Sequence, residues 1–185
     1  MVVIADLPTK YGVFKIYAFS DDLIAIVKGE ISEKENVCVR VHSECLTGDS
    51  FGSKRCDCGP QLDKSLEIIS KEDGLIIYLR PHEGRGIGLL NKIKAYALQD
   101  KGMDTVEANH QLGFPSDLRS YEAATEVFNY FKIKSIKLLT NNPDKVKQLR
   151  KNGTIVIEHI PLKTEPNKYN KGYLNTKKEK MGHEL

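Results

Sequence analysis

Three cysteines, Cys45, Cys56 and Cys58, stand in a C-x10-C-x-C pattern, with Leu46-Thr47-Gly48-Asp49 after the first and Lys54-Arg55 before the second. Thiolates are ligands that zinc favours, and three protein ligands plus a water form the catalytic arrangement. Gly48, Gly52 and Gly59 let the intervening loop fold back sharply, so that Cys45 can reach the other two. A structural site would need a fourth ligand, and Cys38 and His42 are the local candidates. Free cysteines are often small core residues, but a loop carrying Asp49, Lys54, Arg55 and Asp57 is a poor place for a core. The spacing predicts zinc and leaves catalytic and structural use open. Cys38, flanked by Val37 and Val39, reads as packing.

A second set of residues suits an anion and a base. Arg80 and Arg85 bracket Pro81-His82-Glu83-Gly84 between an apolar run and a helical pattern. Gly84, Gly86 and Gly88 make a strand-to-helix turn whose amides can face an anion. Glu83 beside them can accept from a purine's amino and ring N–H groups. A tight connection with no ligand explains the same glycines equally well. Thr140-Asn141-Asn142-Pro143-Asp144-Lys145 repeats the design, small polar residues at a helix start. Lys145 sits in the first turn, where the helix dipole disfavours cations, so it calls for an anion. Asp117-Leu118-Arg119 is either a surface ion pair worth little or a phosphate clamp, because the guanidinium fork matches phosphate oxygens.

The elements that must position these groups are legible in outline. The chain has 185 residues, 40% hydrophobic, with 28 Lys plus Arg against 25 Asp plus Glu for a net charge of +3. That balance argues against a duplex-DNA binder. No window reaches the ~18 apolar residues of a membrane helix, and no signal peptide is apparent. A cytoplasmic location with reduced thiols is therefore expected. Val13–Phe19 and Leu23–Lys28 read as strands, with only a short leader before the first. Val37–His42 alternates, its valines on one face and Cys38, Arg40 and His42 on the other. Leu75–Leu79 reads as a strand covered on both faces. Helices are predicted from Pro60 to Lys71, from Ile87 to Lys101 with Leu90, Ile93 and Ala97 as its apolar stripe, and from a Ser120 cap to Phe131. Thr105 to Arg119 reads as loop, followed by a strand at Ile136–Leu139, a helix opened by Asn142-Pro143, and a strand over Thr154–Ile160. The pattern predicts one α/β domain over residues 1–185, a mixed sheet covered by helices with a β-rich N-terminal portion. Residues from about 167 to 185 form a helix or a mobile tail in this reading.

Taken together, the stretches Arg40–Asp49, Arg55–Gly59, Glu83–Ile93, Ala95–Gln99, Asp104–Asn109, Gly113–Arg119, Leu139–Lys145 and Lys180–His183 resemble the GTP cyclohydrolase II family. The resemblance runs from about Phe14 to nearly the end, without the partner enzyme that some members carry upstream. It implies that Cys45, Cys56 and Cys58 hold one zinc with water as fourth ligand, which leaves Cys38 and His42 outside. It implies a GTP site made of Arg40, Val41, His42, Ser43, Glu44, Gln61, Glu83, Gly84, Arg85, Thr105, Thr140 and Lys145. Asp117 is the implied proton acceptor, Arg119 the group assigned to attack the α-phosphate, and Tyr96 a neighbour of the ring-opening step. A permanently charged guanidinium suits transition-state stabilisation as well as attack. Pro81-His82 departs from the family's usual Arg-Gln.

The implied reaction opens the guanine imidazole ring and releases formate and pyrophosphate. The product is 2,5-diamino-6-(5-phosphoribosylamino)pyrimidin-4(3H)-one, and the reaction is the first step of riboflavin biosynthesis. Mg²⁺ is expected with the triphosphate, and a homodimer as the assembly, with neither nucleic acid nor membrane as partner. Two other readings stay open: a zinc-stapled RNA-binding module and an idle GTP-binding sensor.

Overall fold

In the computed structural model, which describes residues 1–184, strand-sized apolar runs build a seven-stranded sheet in the order β1-β2-β3-β5-β4-β6-β7. The strands are β1 (Val3–Thr9), β2 (Gly12–Ala18), β3 (Leu23–Lys28), β4 (Val37–Ser43), β5 (Gly74–Leu79), β6 (Ile136–Leu139) and β7 (Val156–Ile160). From β1 to β5 the neighbours are antiparallel, whereas β5, β4, β6 and β7 run parallel. The mixed α/β sheet expected from the sequence is therefore formed. Its helices are α1 (Leu46–Asp49), α2 (Cys58–Ile69), α3 (Gly88–Gln99), α4 (Thr105–Gln111), α5 (Ala123–Tyr130), α6 (Pro143–Lys151) and α7 (Lys171–Met181).

The alternation in β4 divides the core as predicted. Val37, Val39 and Val41 pack with Tyr121, Phe128, Val146 and Leu149 under α5 and α6. Cys38 faces the other way, beside Phe14, Ile69, Ile76 and Leu139. Burial pushes its thiol up to about 12, so it is an unreactive packing group. The connection leaving β4 returns to β5, while the one leaving β6 crosses to β7 on the opposite side. In such a sheet the crevice opens at the carboxyl ends of the strands where the order diverges, here beside Ser43 and Thr140.

Four local expectations need correction. The leader is strand β1, paired with β2 from Val3↔Ala18 to Thr9↔Gly12. Pro8 hid it, yet proline is admissible on an edge strand. The loop from Thr105 contains α4, whose start Asp104 caps: its carboxylate accepts from Val106 N (2.7 Å) and Glu107 N (3.0 Å), and Glu107 answers at Asp104 N (3.0 Å). That Asp-x-x-Glu capping box is a sequence signal. Ser120 does not cap α5, which begins after Glu122 without a side-chain cap. Most consequential is α3, whose apolar stripe faces outward: Leu90 is 70% exposed and Ile93 46%. The inward face carries Lys92 and Ala95 instead. At the chain's end α7 is helical and packs on α4; Leu185 lies outside the described residues.

Candidate active site

The three thiols converge where β4 ends and α2 begins. Cys45 follows β4, and Cys56 and Cys58 lead into α2, so strand and helix hold them from opposite sides. Their sulfurs lie within 4.8 Å of one another. Two sulfurs bound at about 2.3 Å to one tetrahedral zinc stand about 3.8 Å apart, and those of Cys45 and Cys56 are 3.7 Å apart. Gly48 is required here, because a Cβ would lie 2.9 Å from Cys56 Sγ and 3.1 Å from Cys45 Sγ. The donor set fits zinc. Contacts with the Cys56 and Cys58 sulfurs, and then the Lys92 ammonium, lower the Cys45 pKa. The Cys56 thiol is pushed up to about 11 beside it.

His42 lies outside the thiol group. Its Nε2 meets Asp49 Oδ2 at 3.0 Å, and Tyr78 Oη and Cys45 N also donate to that carboxylate. Burial lowers the His42 pKa despite Asp49, so the neutral ring donates from Nε2. Asp57, between two cysteines, is fully buried, accepting from Lys177 Nζ (2.7 Å) and Gln61 Nε2 (2.6 Å). Burial disfavours its charge, but Lys177 more than compensates and holds the carboxyl below the usual range. Gln61 Oε1 in turn accepts from Arg40 Nη2 at 2.7 Å.

The thiols form one end of a cleft with about 1050 Å³ of space, part of it open to solvent. Of the residues singled out from the sequence, Arg40, His42, Ser43, Glu44, Gln61, Glu83, Gly84, Arg85, Tyr96, Thr105, Arg119, Thr140 and Lys145 line it. Val41 does not; its side chain is in the core, and its carbonyl accepts from Lys145 Nζ at 2.5 Å. Asp117 stands one layer back, gripping Arg119 with both oxygens at 2.9 and 2.6 Å. Against the effect of burial, the neighbouring Tyr121 and then this pairing raise the Arg119 pKa, so the guanidinium stays charged.

The far end of the cleft is cationic. Lys145 is buried and makes no ion pair among the described residues. Burial first, then Arg40 and Arg119, drive its pKa well down. Arg40 Nε and Arg85 Nη2 are buried without a hydrogen-bond partner. Arg85 also holds a left-handed φ of +64°, a strain of about 1–3 kcal/mol. A ligand that supplies negative charge and acceptors would relieve all three. Tyr96 stands nearer the thiols, its Oη 3.3 Å from Thr47 Oγ1 and its ring under the Arg55 guanidinium.

Two residues are tied into the frame of the cleft. Glu83, expected to meet a purine, already accepts from Lys92 Nζ (2.6 Å), Gly84 N (2.9 Å) and Leu46 N (2.7 Å). It braces α3 against the thiol loop. His82 ties three segments together: Nε2 donates to Ser120 O (2.9 Å), which leaves Nδ1 to accept from Ser43 Oγ (3.0 Å). Sequence reasoning missed Lys92, Asn109, Tyr173, Lys177 and His183, all of which line the cleft. Lys92 carried no signal, because the apolar stripe expected for α3 would have put it on the outward face. The α7 residues carried none.

A model of the GTP cyclohydrolase II family matches residues 1–161. The chain belongs to that family. It is 53% identical over 185 residues to a GTP cyclohydrolase-2 of Campylobacter hominis, covering 98% of this chain and 93% of the relative. It is 52% identical to a GTP cyclohydrolase-2 of Picrophilus torridus, covering 97% and 95%. A riboflavin biosynthesis protein RibBA of Aquifex aeolicus is 54% identical, covering 98% of this chain but only 46% of the relative. The chain thus matches the whole of some relatives and about half of others. As a member of an enzyme family, it has one cleft that gathers the family's motif residues. α7 lies beyond the matched region yet closes that cleft with Tyr173 and Lys177. No helix among the described residues is long and apolar enough to cross a membrane.

Proposed function

We propose that this chain hydrolyses GTP, opening the guanine imidazole ring and releasing formate and pyrophosphate in the first step of riboflavin synthesis. The observation that carries the reading is a single cleft with a thiol triad at one end and uncompensated cations at the other, in a chain of this family. Cys45, Cys56 and Cys58 would hold zinc, which when bound supplies Lewis acidity and makes water a usable nucleophile near neutral pH. The guanine then lies toward Tyr96, whose hydroxyl beside Thr47 can pass a proton to the opening ring. The triphosphate would lie toward Arg40, Thr140 and Lys145, and Mg²⁺ bound with it would supply further positive charge.

Arg119 acts here as a clamp on developing phosphate charge. Its two bonds to Asp117 keep it protonated and aim the remaining Nη1 toward Ser43 Oγ, 3.4 Å away. A charged guanidinium has no free lone pair for attack. Incubation with GTP, Zn²⁺ and Mg²⁺ is expected to yield formate and pyrophosphate, read by enzymatic coupling. A protein that binds GTP but makes neither product would be the idle sensor, and the reading would be wrong. The variant Arg119→Lys keeps charge and loses the fork, so pyrophosphate release should fall about 10²-fold or more.

A homodimer belongs to the same proposal. The outward stripe of α3, with Leu89 42%, Leu90 70% and Ile93 46% exposed, supports it as a surface for a second copy. A monomeric mass at micromolar concentration would refute this part alone.

A further inference from the structure

Among the described residues, Lys92 is the cation that hydrogen-bonds to the thiol triad. Its side chain is 8% exposed, and its Nζ lies 3.1 Å from Cys45 Sγ and 2.6 Å from Glu83 Oε1. Glu83 completes a ring: its other oxygen accepts from the backbone N–H of Leu46, the residue after Cys45. Gly84 closes against Lys92, since a Cβ there would lie 3.0 Å from Lys92 Cβ. The ammonium is thus locked by α3, by the turn after β5 and by the thiol loop together.

We infer that Lys92 is a positioning residue of the metal centre: it donates to Cys45 and places a positive charge beside three thiolates on one divalent ion. The inference rests on the zinc reading above. Three thiolates exceed the charge of Zn²⁺ by one, and a buried net charge without a partner is costly. The Lys92 ammonium, shared between Cys45 and Glu83, offsets part of that charge at one sulfur. The same N–H···S bond draws electron density from Cys45 and fixes the direction in which its lone pairs point. Lys177 cannot substitute, because its ammonium is taken up by Asp57.

The alternative is that Lys92 only neutralises Glu83. Two variants separate the two roles. Lys92→Met removes both contacts, and the double variant Lys92→Met/Glu83→Gln removes the carboxylate charge as well, so no unpaired ion is left buried. Zinc affinity is measured by competition with a chelating dye, and the Co²⁺-substituted proteins are compared by their thiolate-to-metal charge-transfer absorption. Both variants are expected to bind zinc about 10–100-fold more weakly than wild type, with the charge-transfer band moved to lower energy. Lys92→Arg, which retains the charge, should recover most of the affinity. Wild-type affinity in the double variant, or in both variants, overturns the assignment and leaves the zinc reading standing. A wild-type protein that binds no zinc overturns both.

Discussion

The two ends of the cleft treat charge in opposite ways. At the thiol end every buried charge has a partner: Lys92 faces Glu83 and Cys45, and Lys177 faces Asp57, which also receives Gln61. At the other end Lys145 makes one hydrogen bond, to the Val41 carbonyl, beside the Tyr121 ring, and Arg40, which Gln61 links to the thiol end, leaves Nε unpaired. The first end is complete within the protein except for a metal ion. The second waits for a ligand that brings its own negative charge. An enzyme that must hold a metal permanently and a triphosphate transiently needs this asymmetry, because a cation already neutralised by a carboxylate has little left for phosphate.

The largest test of that contrast is Cys56→Ser. It should lose its zinc and cut formate release to background, while pyrophosphate release persists within about tenfold, measured in parallel on the same samples. Equal loss of both products would mean that the two ends do not work separately.

The next effect is a difference of sign. Lys177→Met strands Asp57 as a buried unpaired charge and should destabilise the protein by about 3–5 kcal/mol in urea unfolding. Lys145→Met removes a buried charge that has no counter-ion, so the ligand-free protein should gain on the order of 1 kcal/mol. The same variant should weaken GTP binding by about 2–5 kcal/mol in calorimetry. Destabilisation by both variants would dissolve the contrast.

The smallest effect concerns His82, which spans Ser43 and Ser120 between the two ends. Burial, with Arg119 and Lys145 adding to it, pushes its pKa from 6.5 down to about 4. The unfolded chain therefore binds this proton first, and His82 makes stability fall as pH drops from about 6.5 toward 4. His183 acts in the same direction, pushed down to about 3 by burial and by Lys177. A glutamine can donate to Ser120 and accept from Ser43, so His82→Gln should keep near-wild-type activity at neutral pH. Its urea-unfolding stability should decline less steeply over that acid window; an unchanged slope would remove His82 from the account.

How far the sequence reaches can be judged from particular residues. The alternation Val37 to His42 separated core valines from Arg40 and His42 because side chains on a strand point to opposite faces at every step. The spacing around Cys45, Cys56 and Cys58 announced a metal site because the ligands are close in sequence and the loop between them is rich in glycine. Lys145 betrayed its need for an anion through its place in the first turn of α6. These signals are local, and local geometry is what a sequence pattern encodes.

The rest depended on contacts between distant segments. The stripe Leu90, Ile93 and Ala97 has a correct helical period but faces out, since periodicity marks an apolar face without saying what covers it. That Glu83 braces α3 and the thiol loop emerged only once Leu46 and Lys92 were found beside it. Lys177 reaches Asp57 across 120 positions of chain, and nothing near either residue foretells the other. The sequence by itself determined the chemistry available to this protein: three thiolates, a set of cations, and the helices and strands that carry them. Only the tertiary structure decided which charges cancel and which stay open, because pairing in a buried site is set by distances between elements that the order of residues does not contain.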